Sequence, residues 1–276
     1  MQTASASRIT ERDQLRDAHP REVRGAIREG RWDGPTVGMA RGYIQANVAI
    51  VPERFAFDFL RFCLRNPKPC PLVEVLEPGD PVPRQSAPSG DLRTDVSRYR
   101  VFRDGQLAEE VRDLRTLWRK NHVGFLMGCS VSFDQAMLDG GIDLRHLQSG
   151  TGRIAVYESN IACRPAGMFR GNMIVSMRPI PKTLLVRAVE ITSQYPIAHG
   201  SPVHVGDGAE IGIPDMARIH SGKVNEVGPH EVPVWWGCGV TPQAVAVASG
   251  VPEMITHATG HLFATDLRVS AHRTGL

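Results

Sequence analysis

No apolar run in this 276-residue chain approaches the ~18 residues that a bilayer span requires; the longest, over 123–131, already contains two glycines. A surplus of either charge is missing too, because 32 Lys and Arg stand against 29 Asp and Glu, for a formal charge of +3. Neutralising phosphates demands a concentrated basic excess, so neither nucleic acid nor a membrane is expected as a partner. The first residues lack the apolar core of an export signal and turn acidic at Glu11 and Asp13, which points to a cytoplasmic location. Cysteines at redox or zinc-finger spacing are absent. The five thiols, at 63, 70, 129, 163 and 238, lie at least seven residues apart, and an odd count without an export signal argues for reduced thiols. No G-x-G-x-x-G follows a strand, and neither a Walker loop nor G-x-S-x-G occurs. Nothing therefore asks for NAD, ATP or a flavin, and no cofactor is expected.

What the chain does have is punctuation. Its 27 Gly and 20 Pro make up about 17% of the residues, above the ~12% of ordinary globular chains. The pattern predicts helices from Thr10 and from Pro20, a strand over 43–51 and a helix over 53–65 that Asn66-Pro-Lys-Pro-Cys-Pro71 breaks. A hairpin is expected around Asp104-Gly105. Beyond it come a strand (122–127), a helix (132–139), extended pieces (142–148 and 153–158), a strand (173–178) and a helix (182–193). Short strands then surround a helix at 242–248. This order predicts an α/β fold: a mixed-sheet main domain built from 1–119 and 196–276, interrupted by a smaller α+β domain over 120–195.

Two segments share one design. Phe125-Leu-Met-Gly-Cys-Ser-Val-Ser132 and Val234-Trp-Trp-Gly-Cys-Gly-Val-Thr-Pro-Gln243 each run from an apolar strand through Gly-Cys into a helix. The N–H groups of such turns suit an anion, and a helix N-terminus should lower the pKa of Cys129 and Cys238. Ser130, Gly239, Thr241 and Gln243 belong to the same turns. His257 and His261 stand four apart, but Ala258 and Gly260 replace what a metal-binding helix would carry, so no metal is expected. Acid–base use with a partner such as Asp266 fits better. Arg164 and Arg178 each precede a proline and could clamp a carboxylate. Gln45 and Asn47 alternate on one strand and so share a face. Cys63, Cys70 and Cys163 read as core filler.

Taken in order along residues 20–268, these segments resemble the D-glutamate cyclase family, in its bacterial hydro-lyase branch. The resemblance rests on Gln45-Ala-Asn47, Asp58–Pro71, Gly128-Cys-Ser130, Cys163-Arg-Pro-Ala-Gly167, Val175-Ser-Met-Arg-Pro179, Cys238–Gln243 and Thr256-His-Ala-x-Gly-His261. It implies an α/β domain with a smaller insertion, and water loss from a small amino or hydroxy acid, as in conversion of D-glutamate to 5-oxo-D-proline. On that reading His257 or His261 moves the proton, the Gly-Cys turns donate N–H groups, and Arg164 or Arg178 holds the α-carboxylate. A two-cysteine racemase or epimerase and a non-catalytic carboxylate-binding protein are the alternatives. A homo-oligomer is allowed by the sequence.

Overall fold

The computed structural model describes residues 11–148 and 154–275. The helix start expected at Thr10 lies outside them; helix occupies 11–16. The fold centres on β1 (Tyr43–Pro52), whose ten residues are all buried. Its apolar side chains face two cores in alternation: Ala49 and Val51 join one cluster, and Ala46, Val48 and Ile50 join another. Burial on both faces explains why the strand reads as a nearly continuous apolar run.

One edge of β1 pairs with β5 (His122–Gly128) from Ala46↔Gly128 to Pro52↔His122. Two strands share the other edge. β11 (Phe263–Arg268) pairs at Gln45 and Ala46, and β10 (Glu253–His257) pairs at Ala49 and Ile50. Between them the ladder is open at 47–48. β2 (Leu72–Val75), β3 (Tyr99–Arg103) and β4 (Gln106–Val111) complete a seven-stranded sheet in the order β2-β5-β1-β10-β3-β4. The β3–β4 turn holds Asp104 at φ 49° and Gly105 at φ 75°, as the dipeptide predicts.

A second sheet, in the order β6-β7-β9-β8, contains β6 (Ala155–Ala162), β7 (Asn172–Pro181), β8 (His204–Val205) and β9 (Glu231–Gly237). The α/β class and a fold in two parts agree with the sequence, but the sheets cross the expected 120–195 boundaries: β5 belongs to the first sheet, and β8 and β9 belong to the second. Every pairing among the described residues is antiparallel, whereas a mixed main sheet was expected. The reason lies in the connections, since β3 and β4 fold back at a tight turn and β10 and β11 return along one edge of β1.

Beyond the helix over 11–16, the α-helices among the described residues are α1 (Pro20–Arg28), α2 (Glu53–Arg65), α3 (Asp134–Asp139), α4 (Arg145–Gln148), α5 (Leu185–Ser193) and α6 (Thr241–Ser249). The α4 segment was expected to be extended. Leu144 and Leu147, three apart, both pack into the cluster around Phe133 and Trp236, a helical spacing that overrides the local alternation. Helix α2 joins the two sheets: Phe59 meets Phe125 of β5 edge-on at 4.8 Å and Phe169, beyond β6, at 5.1 Å. These rings belong to one core with Met177 of β7 and Trp235 of β9.

Candidate active site

A cavity of about 330 Å³ opens where the two sheets meet. The first sheet contributes Asn47 of β1, the turn after β5 and the 257–262 loop. The second contributes Val156 of β6, Ser176 of β7 and the turn after β9. Cys129, Ser130, Cys238, His257 and His261 all line this one space, although 132 positions separate the first from the last.

Glycine is packed tightly in both turns, at Gly128 before Cys129 and at Gly239 after Cys238. A Cβ on Gly128 would stand 1.7 Å from the Ile197 carbonyl oxygen, and one on Gly239 would stand 2.0 Å from Asn47 Nδ2. Asn47 thus lies between the turns. Its Nδ2 donates to the Gly128 carbonyl at 2.7 Å and also reaches the Cys129 sulfur. The N–H of Val131 is directed at Cys129 Sγ, and that of Val240 at Cys238 Sγ. Thiol acidity runs opposite to expectation. Burial pushes Cys129 up and Cys238 up to about 12, because desolvating a thiolate outweighs what one N–H returns. Both are neutral thiols at physiological pH.

His257 ends β10 where β10 and β11 part along the edge of β1. Its ring fills the opening, and Nδ1 lies 3.1 Å from the Val48 N and 3.3 Å from the Val48 O. Nε2 is buried and has no partner among the described residues. Burial lowers the His257 pKa to about 4, so the ring is neutral near pH 7. The nearby Ser221 Oγ and Thr259 Oγ1 also line the cavity, buried and unpartnered among the described residues. His261 is set by Ser97, whose Oγ lies 2.8 Å from Nδ1 and donates to the Gly34 carbonyl at 2.7 Å. Asp266 is not its partner, since that carboxylate pairs with the buried Arg24 at 2.9 Å.

Among the described residues the arginines at the cavity are Arg98 and Arg100, which the sequence reading missed. Arg100 is held by Glu110 at 2.8 Å and by the Gln243 Oε1 at 3.2 Å. Half-buried Arg98 has no ion pair with a described residue. Their alternation around Tyr99 signals a shared face, but only the folded hairpin turns that face to the cavity. Arg164 is exposed and does not line it; its backbone N–H donates to Asn66 Oδ1. Arg178 lies one layer behind. Its guanidinium packs between Phe133 and Trp236, pairs with Asp134 at 3.0 Å and donates to Ser130 Oγ at 3.1 Å.

The remaining candidates bind the scaffold. Gln45 donates to the Met39 carbonyl at 2.6 Å, and Thr241 Oγ1 donates to the Cys238 carbonyl at 2.7 Å. Gln243 donates to the His257 carbonyl at 2.7 Å and thereby links β10 to Arg100. No group of three or more His, Cys, Asp or Glu suited to a metal ion occurs among the described residues. Nor is any described helix long and apolar enough to cross a membrane.

The sequence model of the D-glutamate cyclase family matches residues 123–266. A Stutzerimonas stutzeri protein named "Putative hydro-lyase" is 52% identical over 92% of this chain and 95% of its own length. Relatives bearing that name in Bacillus subtilis (50%, over 90% and 96%) and Rubrobacter xylanophilus (51%, over 90% and 95%) are similarly close. With half the chain matched by the family model, and relatives this similar over nearly their full length, the chain belongs to the D-glutamate cyclase family.

Proposed function

We propose that the cavity binds a small amino acid carrying a second carboxylate and removes water from it, as in closure of D-glutamate to 5-oxo-D-proline. The observation that carries this reading is the convergence of Arg98, Arg100, His257 and His261 on one space with both Gly-Cys turns. At about 330 Å³ the space suits a single small metabolite, at the low end of the ~300–1,000 Å³ range of ligand sites. Its polar lining is rich in donors, which matches a ligand rich in oxygen. Arg98, without an acidic partner among the described residues, takes the α-carboxylate, and folding the substrate back brings its amine against its own γ-carboxyl carbon. The state of the thiols favours this chemistry over racemisation, since a two-thiol racemase needs one thiolate and burial opposes it.

The test is incubation with D-glutamate, L-glutamate and a panel of small hydroxy acids, followed by mass spectrometry for loss of one water. D-glutamate is expected to lose water, and Arg98→Ala is expected to raise KM. Thermal stabilisation by these acids without water loss would instead establish a carboxylate-binding protein.

A further inference from the structure

We infer that Ser130 and Ser176 form the subsite that takes the ligand's second carboxylate, with Arg178 behind them as the residue that turns both hydroxyl hydrogens into the cavity. Naming that carboxylate the γ-group rests on the dehydration reading above; the direction of the hydroxyls rests on hydrogen bonding alone.

The two serines come from different sheets. Ser130 follows Cys129 in the turn after β5, Ser176 lies on β7, and both line the cavity. Arg178 stands two positions beyond Ser176 and so projects from the same face of β7. Its Nη2 donates to Ser130 Oγ at 3.1 Å and its Nη1 to Ser176 Oγ at 3.4 Å. One buried guanidinium thus bridges the two sheets behind the cavity wall.

A count of hydrogens then fixes the hydroxyls. A guanidinium only donates, so each serine oxygen gives Arg178 a lone pair and keeps its own hydrogen to place. No described residue accepts that hydrogen from either serine. The O–H bonds cannot point at Arg178, where two donors would meet head to head. The space left to them is the cavity that both serines line.

Hydroxyls polarised from behind by a cation are strengthened as donors, and they attract an anion while repelling a cation. Asp134, 3.0 Å from Arg178, balances the guanidinium charge. The serines therefore offer neutral donors, which suits a singly charged carboxylate better than a phosphate dianion. Arg98 holds the other end of the ligand. It belongs to a different wall, since its carbonyl accepts from the Ala258 N–H of the 257–262 loop at 2.8 Å. Two anion-binding groups on separate walls select a ligand with two carboxylates over one with a single carboxylate. Arg178 is a positioning residue in this scheme.

The experiment is calorimetric titration of the full chain with glutarate and with pentanoate, which carries a methyl group where glutarate has its second carboxylate. Neither has an amine, so neither can close a ring, and binding is read apart from turnover. The unaltered chain should bind glutarate at least about tenfold more tightly than pentanoate, as hydrogen bonds to a charged group imply. Ser130→Ala with Ser176→Ala should weaken glutarate about tenfold or more and leave pentanoate at least as tight, closing the gap with the urea midpoint little moved. Arg178→Met with Asp134→Asn keeps both serines but releases their hydroxyls, and should narrow the same gap at an unchanged pentanoate affinity. No preference for glutarate in the unaltered chain, a preference that survives the serine changes, or an equal weakening of both acids would overturn the subsite. Serine-dependent glutarate binding by a protein that dehydrates nothing would leave the subsite standing and sink the functional reading. Dehydration of D-glutamate by a protein whose glutarate affinity ignores both serines would do the converse.

Discussion

Asn47 is hemmed in on both sides, with the Gly128 carbonyl against its amide and the Gly239 backbone against its far edge. Gly239→Ala should therefore force the buried amide aside and cost about 1–3 kcal/mol, read as a lower urea midpoint. At the neighbouring thiols, Cys129→Ser and Cys238→Ser should each leave water loss within a few-fold of the unaltered chain. Neither protein should exchange the substrate Cα proton with deuterated solvent; abolished turnover in both would restore the thiols to the chemistry. Which residues could be read in advance follows from how local their signals are. Gly-Cys before a helix and two histidines four apart are features of short segments, and their side chains do meet at the cavity. Arg178-Pro179 reports an extended backbone but not that Asp134, 44 positions earlier, takes the guanidinium. Arg98 and Arg100 were equally hidden, because a hairpin pattern names a face without saying what lies opposite.

Among the elements, β7, α3 and α4 are tied by one buried polar chain. Arg178 pairs with Asp134 Oδ1 at 3.0 Å, and Asp134 Oδ2 lies 2.7 Å from His146 Nε2. Arg178→Ala should strip a buried carboxylate of its cation and destabilise the fold by about 3–5 kcal/mol, measured by chemical denaturation. Asp134→Asn combined with Arg178→Met removes both charges and should recover much of that loss. Strands and helices were the most legible level of the molecule. Alternation, the Asp104-Gly105 turn and the prolines at 67, 69 and 71 mark them with little ambiguity. Pairing was not legible: no local pattern says that β10 and β11 divide one edge of β1, so the opening filled by His257 could not be foreseen.

For the molecule as a whole, the core shared through Phe59 should make unfolding a single transition. Phe59→Ala is expected to lower it by about 3–5 kcal/mol without splitting it, a result calorimetry can read directly. Stability should also fall with acidity. His199 and His257 are buried with pKa values lowered to about 4 from 6.5. As pH drops from 6.5 to 4 the unfolded chain takes up protons that the folded rings refuse. The stabilisation each ring gives is complete above 6.5 and lost across that window, roughly 3 kcal/mol per ring. A urea midpoint that does not move between pH 7 and 4.5 would contradict this. The cavity has a wall from each sheet, with Cys129 directly after a strand of one and Cys238 directly after a strand of the other. A ligand gripped by both walls is a rivet through two plates. At about 100 times its Kd it would add ~2.7 kcal/mol to the whole assembly, and amide exchange would slow in both sheets together, far from any atom it touches.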